Sequence, residues 1–213
     1  MCQLHIRNLG LQEYSSVFNR MREFTTQRTS TTTDEMWCVQ HPAVFTLGAN
    51  ADPQHILSQT DIPIVQSDRG GQVTYHGPGQ VIIYLLVNLK HKSIGVKRLV
   101  ELIEQSVVDL LNDYNIDSKA HAEAHGVYVN ETKIASLGLR VHSGCSYHGV
   151  ALNVDMDLSP FSLINPCGFP GLAVTQLKDN GVTEGMHTVS EKLTLKLCKH
   201  LEYKASKINI HDS

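Results

Sequence analysis

The chain has 213 residues, 41% of them hydrophobic, which is enough for one full core, so a single domain over 1–213 is expected. With 18 Lys plus Arg against 21 Asp plus Glu, it lacks the basic excess of a nucleic-acid-binding surface. Its five cysteines, at 2, 38, 145, 167 and 198, are odd in number and include no CxxC pair, which argues against a disulfide framework or zinc knuckle and for reduced thiols. The opening MCQLHIRNLG has no basic region followed by a long apolar run, and Val81 to Val87 is too short to cross a bilayer. A cytoplasmic, unexported protein is therefore expected.

Leu4 and Ile6 alternate with polar neighbours, predicting a half-buried strand that ends at Gly10. Leu11, Tyr14, Val17, Phe18, Met21 and Phe24 then recur at helical spacing, and the hydroxyl-rich run Thr29 to Thr33 breaks the helix. Met36 to Leu47 reads as strand interrupted at Pro42, followed by a turn-rich loop from Gly48 to Pro53. Short strands at Ile62–Gln66 and Gln72–Tyr75 flank a turn at 68–71, and Gly77-Pro78-Gly79 turns the chain into a buried strand, Val81 to Leu89. The apolar stripe from Gly95 to Tyr114 is the longest helix signal in the chain.

Gly126 to Val129, Lys133 to Val141 and Tyr147 to Val154 read as a meander with turns at Asn130-Glu131 and Ser143-Gly144. Ser159 to Pro170, with three prolines, is expected to be an irregular loop. Thr188-Val189-Ser190-Glu191 has the form of a capping box opening a last helix through Leu193, Leu197 and Leu201. Strands clustered mid-chain, with helices near each end and one between, indicate an α+β fold.

The densest segment is Arg69-Gly70-Gly71-Gln72-Val73-Thr74-Tyr75-His76-Gly77-Pro78-Gly79-Gln80, four glycines and a proline among polar side chains beside a buried strand. Glycine leaves room for a ligand against the main chain, while Arg69 and His76 offer charge or hydrogen bonds. There is no GxxxxGK[ST], and no GxGxxG opens a helix, so the usual phosphate loops are excluded.

This run, with Tyr84 in the next strand, resembles the signature of lipoyl(octanoyl) transferases, the lipoate-protein ligase B family. Three further blocks agree in order: Lys133-Ile134-Ala135-Ser136-Leu137-Gly138-Leu139-Arg140, His148-Gly149-Val150-Ala151-Leu152-Asn153 and Asn165-Pro166-Cys167-Gly168. The resemblance implies a mixed β-sheet with flanking helices, as in biotin and lipoate protein ligases. It implies transfer of octanoate from octanoyl-acyl carrier protein to the target lysine of lipoyl domains, those of 2-oxoacid dehydrogenase E2 subunits and glycine cleavage H protein. By the same resemblance Cys167 carries the acyl group, Lys133 tunes it, and residues 69 to 76, 136 to 138 and 149 to 151 line the acyl pocket. No cofactor and no metal are implied.

A free thiol is mostly protonated at neutral pH, so a nearby ammonium makes Cys167 a better nucleophile, and the same lysine can pass protons in both half-reactions. Exchange of one thioester for another needs no ATP. Backbone N–H groups around Cys167, Gly168 and Leu137 to Gly138 are candidate donors to the tetrahedral oxyanion. Pro166 and Gly168 shape a loop that presents the thiol, whereas Cys2, Cys38, Cys145 and Cys198 read as small buried hydrophobes. His76 and His148 are rival bases for Cys167.

Three other readings stand beside this one. His121-Ala122-Glu123 and Pro166-Cys167 mimic a zinc-deaminase signature, but position 170 is Pro where the second Cys is required, and His121, Glu123 and His125 read instead as an exposed polar edge. An ATP-dependent ligase would share the fold, and a non-enzymatic acyl-binding module would make Cys167 dispensable. Lys90-His91-Lys92 and Lys97-Arg98 form an acid-free basic stretch, a candidate dock for an acidic carrier protein. No apolar stripe remains once the core helices are assigned, which favours a monomer.

Overall fold

The structure, a computed structural model, describes residues 4–121 and 124–203. In chain order its elements are β1 (Leu4–Leu11), α1 (Tyr14–Gln27), β2 (Asp34–Gln40), β3 (Val44–Leu47), β4 (Ile64–Gln66), β5 (Val73–His76), β6 (Gln80–Leu86), α2 (Leu89–Lys92) and α3 (Val96–Asp113). There follow β7 (Lys119–Ala120), β8 (Gly126–Val129), β9 (Thr132–His142), β10 (Cys145–Asn153) and α4 (Met186–His200). Seven strands form one sheet in the order β1-β2-β6-β10-β9-β8-β7, and β4-β3-β5 form a second. In the large sheet only β1 and β2 pair in parallel, joined across α1, and the remaining neighbours are antiparallel. The expected α+β fold with a mixed sheet is therefore present.

The continuous apolar run of β6 reflects burial on both faces. Val81, Ile83, Leu85 and Val87 join the core beneath α3 and α4, whereas Ile82, Tyr84 and Leu86 join the core beneath α1. The small sheet has its own core, in which Phe45, Val73 and Tyr75 meet Phe161 and Ile164. The meander turns arise as their residues suggest: Asn130-Glu131 and Ser143-Gly144 all have positive φ, which suits the right-handed twist of two-residue hairpins.

Several boundaries differ from the sequence expectation, among them the strand expected from Val81 to Leu89, which ends at Leu86, while Leu89 opens α2 behind the Asn88 cap. Gly10 does not end β1; it sits at a bulge, φ +63°, after which Leu11 still pairs with Gln40, so α1 starts only at Tyr14. The fourth strand is confined to Ile64–Gln66. The last helix starts at Met186 after Gly185, with no side-chain cap, so Thr188 to Glu191 lie inside it. Glu191 faces His187 one turn back, at 3.4 Å, instead of closing a capping box.

Candidate active site

Cys167 lies in a tight turn, Pro166–Gly168, in the segment that follows β10 and packs on the small sheet. Its φ of 57° is left-handed, a conformation that costs a non-glycine residue about 1–2 kcal/mol. The turn is closed by Gly168 N–H donating to Asn165 O at 2.9 Å and Phe169 N–H to Pro166 O at 3.1 Å. Gly168 is required here: a Cβ would come within 2.8 Å of Gln72 Cγ and 3.2 Å of His55 Nε2. Because the Gly168 N–H is already engaged, it drops out as an oxyanion donor.

Lys133 is not a solvated turn residue. It is 1% exposed, near the start of β9, and its backbone is bracketed by Ala173 and Thr175 through hydrogen bonds of 2.9 Å. Its Nζ donates to the Cys167 Sγ at 3.0 Å and to the His125 carbonyl at 3.0 Å, and lies 5.1 Å from the Tyr128 ring centroid. A buried ammonium is tolerated only with partners of this kind.

A cavity opens beside the thiol, walled by Arg69, Gly71, Gln72, Thr74, His76, Ser136, Leu137, Gly138, Gly149, Val150 and Ala151, together with Cys167 itself. Three expected lining residues do not reach it. Strand alternation turns Val73 and Tyr75 into the small core, and Gly70 is held aside as its N–H donates to Leu139 O at 2.9 Å. Tyr14 and Ile82 line the cavity without having been expected there; Tyr14 carries only an ordinary helix-stripe signal, and Ile82 only a buried-strand one.

Much of the polar lining and what lies behind it is hydrogen-bonded within the protein, although the buried Arg69 Nε has no partner among the described residues. His41 Nδ1 donates to Gln12 O at 2.6 Å, which leaves Nε2 to accept from Tyr84 OH at 2.7 Å; His76 Nδ1 donates to Gln80 Oε1 at 2.7 Å. Tyr14 OH reaches Ser67 Oγ at 2.8 Å, and His148 Nε2 donates to Asp68 at 2.9 Å. Burial pulls His41 down to about 4 and His76 to about 3, and it lowers His148 as well, so all three rings are neutral at pH 7. Neutral rings, each with at least one nitrogen hydrogen-bonded within the protein, bring no charge to the wall an aliphatic chain would meet. Neither His76 nor His148 bonds to Cys167 among the described residues, and the thiol's partner is Lys133.

Arg69 is buried beside this cavity, its guanidinium donating to Thr46 O and Oγ1 at 2.6 and 2.9 Å and to Gly70 O at 3.0 Å. It threads past Gly138, where a Cβ would lie 2.9 Å from its Cδ. The other described cysteines, Cys38, Cys145 and Cys198, are buried; burial raises the Cys38 thiol and pushes Cys198 up to about 11. Cys2 and Glu123 lie outside the described residues. His121 and His125 fall between β7 and β8, facing Glu131 at 3.5 Å and Glu104 at 3.3 Å, and no group of three potential metal ligands occurs among the described residues.

Residues 13–197 match the family described as the lipoyl protein ligase A/B catalytic domain. The chain belongs to this family. An octanoyltransferase from Psychromonas ingrahamii is 52% identical over 201 residues, covering 94% of this chain and 93% of that one. Among solved structures, the bi-partite lipoate protein ligase of Thermoplasma acidophilum superposes with a TM-score of 0.76 at 13% identity, covering all of this chain and 87% of its own. The Aquifex aeolicus biotin protein ligase gives 0.57 at 14% identity, covering 95% and 70%. These two likenesses establish the lipoate and biotin ligase fold. No helix among the described residues is long and apolar enough to cross a membrane.

Proposed function

We propose that this chain is an octanoyltransferase that moves octanoate from octanoyl-acyl carrier protein to the target lysine of lipoyl domains, through a thioester on Cys167. The relatives at more than half identity support the acyl transfer, and the 3.0 Å contact between Lys133 Nζ and Cys167 Sγ at the mouth of the cavity is the observation that carries the thioester step. The acceptors in this reading are the lipoyl domains of 2-oxoacid dehydrogenase E2 subunits and the glycine cleavage H protein. A single-domain monomer in the cytoplasm suffices, because one copy supplies the thiol, the amine and the cavity walls.

In the first half-reaction the Cys167 thiolate attacks the thioester carbonyl, the carbon–sulfur bond to the carrier breaks, and the departing thiolate takes a proton from the Lys133 ammonium. The acyl chain occupies the cavity between β9, β10 and the loop at 69–72. In the second, the acceptor amine attacks the Cys167 thioester, now-neutral Lys133 takes the amine proton, and Cys167 leaves as thiolate. The ion pair is restored, and amide formation draws the exchange forward without ATP. The backbone N–H groups of Cys167 and of Leu137 to Gly138 are the oxyanion donors in this reading.

The test is intact mass after mixing with octanoyl-acyl carrier protein without ATP, beside a Cys167→Ser control. An octanoyl adduct absent from the control and discharged by apo lipoyl domain is expected. Lipoyl-domain modification from free octanoate only when ATP is added would make the chain a ligase instead.

A further inference from the structure

We propose that Glu104 is a positioning residue for the Lys133–Cys167 pair, acting through the single peptide unit between His125 and Gly126; this rests on the role given to that pair above. Glu104 projects from α3 toward the sheet, is 6% exposed, and its Oε1 accepts from Gly126 N–H at 2.9 Å. The carbonyl of the same peptide unit, His125 O, accepts from Lys133 Nζ at 3.0 Å. In a trans amide the N–H and C=O point to opposite sides, so carboxylate and ammonium grip the two poles of one plane. A carboxylate accepting from the N–H polarises the amide and strengthens its oxygen as an acceptor, which holds the ammonium in place and charged beside the sulfur.

Two observations favour this role over plain packing. A neutral acceptor would satisfy Gly126 N–H equally well, whereas a buried carboxylate costs desolvation, and among the described ion pairs Glu104 meets no Lys or Arg. Moreover, Gly126 at φ +144° leaves the relay no room for a side chain, since a Cβ would lie 2.8 Å from Lys133 Cε. Besides Glu104, the charged or titratable groups around the pair are Tyr128 of β8, whose hydroxyl donates to Ala124 O, Arg69 across the cavity, His55 beside Gly168, and the half-exposed His125 ring, 3.3 Å from Glu104. His121 stacks edge-on against Tyr128 at 4.5 Å.

The experiment follows the rate of Cys167 alkylation by iodoacetamide against pH, by intact mass, in wild type, Glu104→Gln, Glu104→Ala and Lys133→Met, with Cys167→Ser to subtract other thiols. Glu104→Gln keeps an acceptor oxygen but loses the charge, and its alkylation midpoint is expected to rise by about one pH unit, a roughly tenfold lower rate below the midpoint. If Lys133→Met moves the midpoint while folded Glu104→Gln does not, the relay is overturned and the pair stands. If neither moves it, the role assigned to Lys133 falls first. Should Glu104→Ala fail to fold, the isosteric Glu104→Gln decides alone.

Discussion

A Cβ on Gly126 would sit 2.8 Å from Cε of Lys133 and 2.6 Å from the carbonyl oxygen of Ala135. The glycine is thus the wall against which the buried lysine is laid. Gly126→Ala is expected to displace Lys133 from the sulfur and slow octanoyl-adduct formation at least tenfold, because a misplaced group loses alignment steeply. Stopped-time intact mass measures the rate, and a melting curve shows the accompanying loss of stability.

Lys133→Met separates charge from packing. The replacement is apolar and similar in length, so it fills the same space, and losing the donor to the His125 carbonyl is expected to cost about 1–3 kcal/mol of stability. Loss of the proton carrier is expected to slow adduct formation at pH 7 by roughly a hundredfold. A wild-type rate of adduct formation would exclude the lysine from the chemistry.

The buried histidines set an acid limit on stability. Imidazole in the unfolded chain titrates near 6.5, whereas burial holds His41 at about 4 and His76 at about 3. The unfolded state therefore binds more protons below 6.5, so the stability from each neutral ring is complete above that pH and is lost as pH falls toward 4 and then 3. At pH 5 each ring should account for roughly 2 kcal/mol of the loss. Urea unfolding at pH 7 and pH 5 measures it, and His76→Gln should show the smaller drop.

Ala151 is buried and lines the cavity, opposite Ile82 of β6 and Ser136 of β9. Ala151→Leu adds bulk where an octanoyl chain would lie. Octanoyl transfer is expected to fall about tenfold relative to butyryl transfer, within the range a few methylenes control. Competition between the two acyl carriers, read on the lipoyl domain, gives the ratio.

The basic stretch of Lys90 to Arg98 is placed far from the thiol. Asn88 bridges to Cys145, which pairs with His142 at the far end of β9 from Lys133, nine residues or about 30 Å at the usual strand rise. Lys92 is also committed, its Nζ donating to Leu201 O at 2.6 Å. A Lys97→Glu, Arg98→Glu variant is accordingly expected to bind the acyl carrier and accept its acyl group as wild type does. Loss of carrier affinity would restore that stretch as the dock.

Sequence by itself determined what depends on short-range pattern. The stripe that makes α3, the doubly buried run of β6, the positive-φ hairpin turns and the four motif blocks are all carried by neighbouring residues whose spacing shows which side faces the core. Tertiary structure decided what depends on partners distant along the chain. Only the paired sheet puts Lys133 out of water and 3.0 Å from a thiol 34 residues later, sends Val73 and Tyr75 away from the cavity their neighbours line, and brings Glu104 from a separate helix to the peptide that grips that lysine. A buried charge or a single hydrogen bond leaves no periodicity behind it. Its partner is chosen by strand pairing and helix packing, which no local window of residues contains.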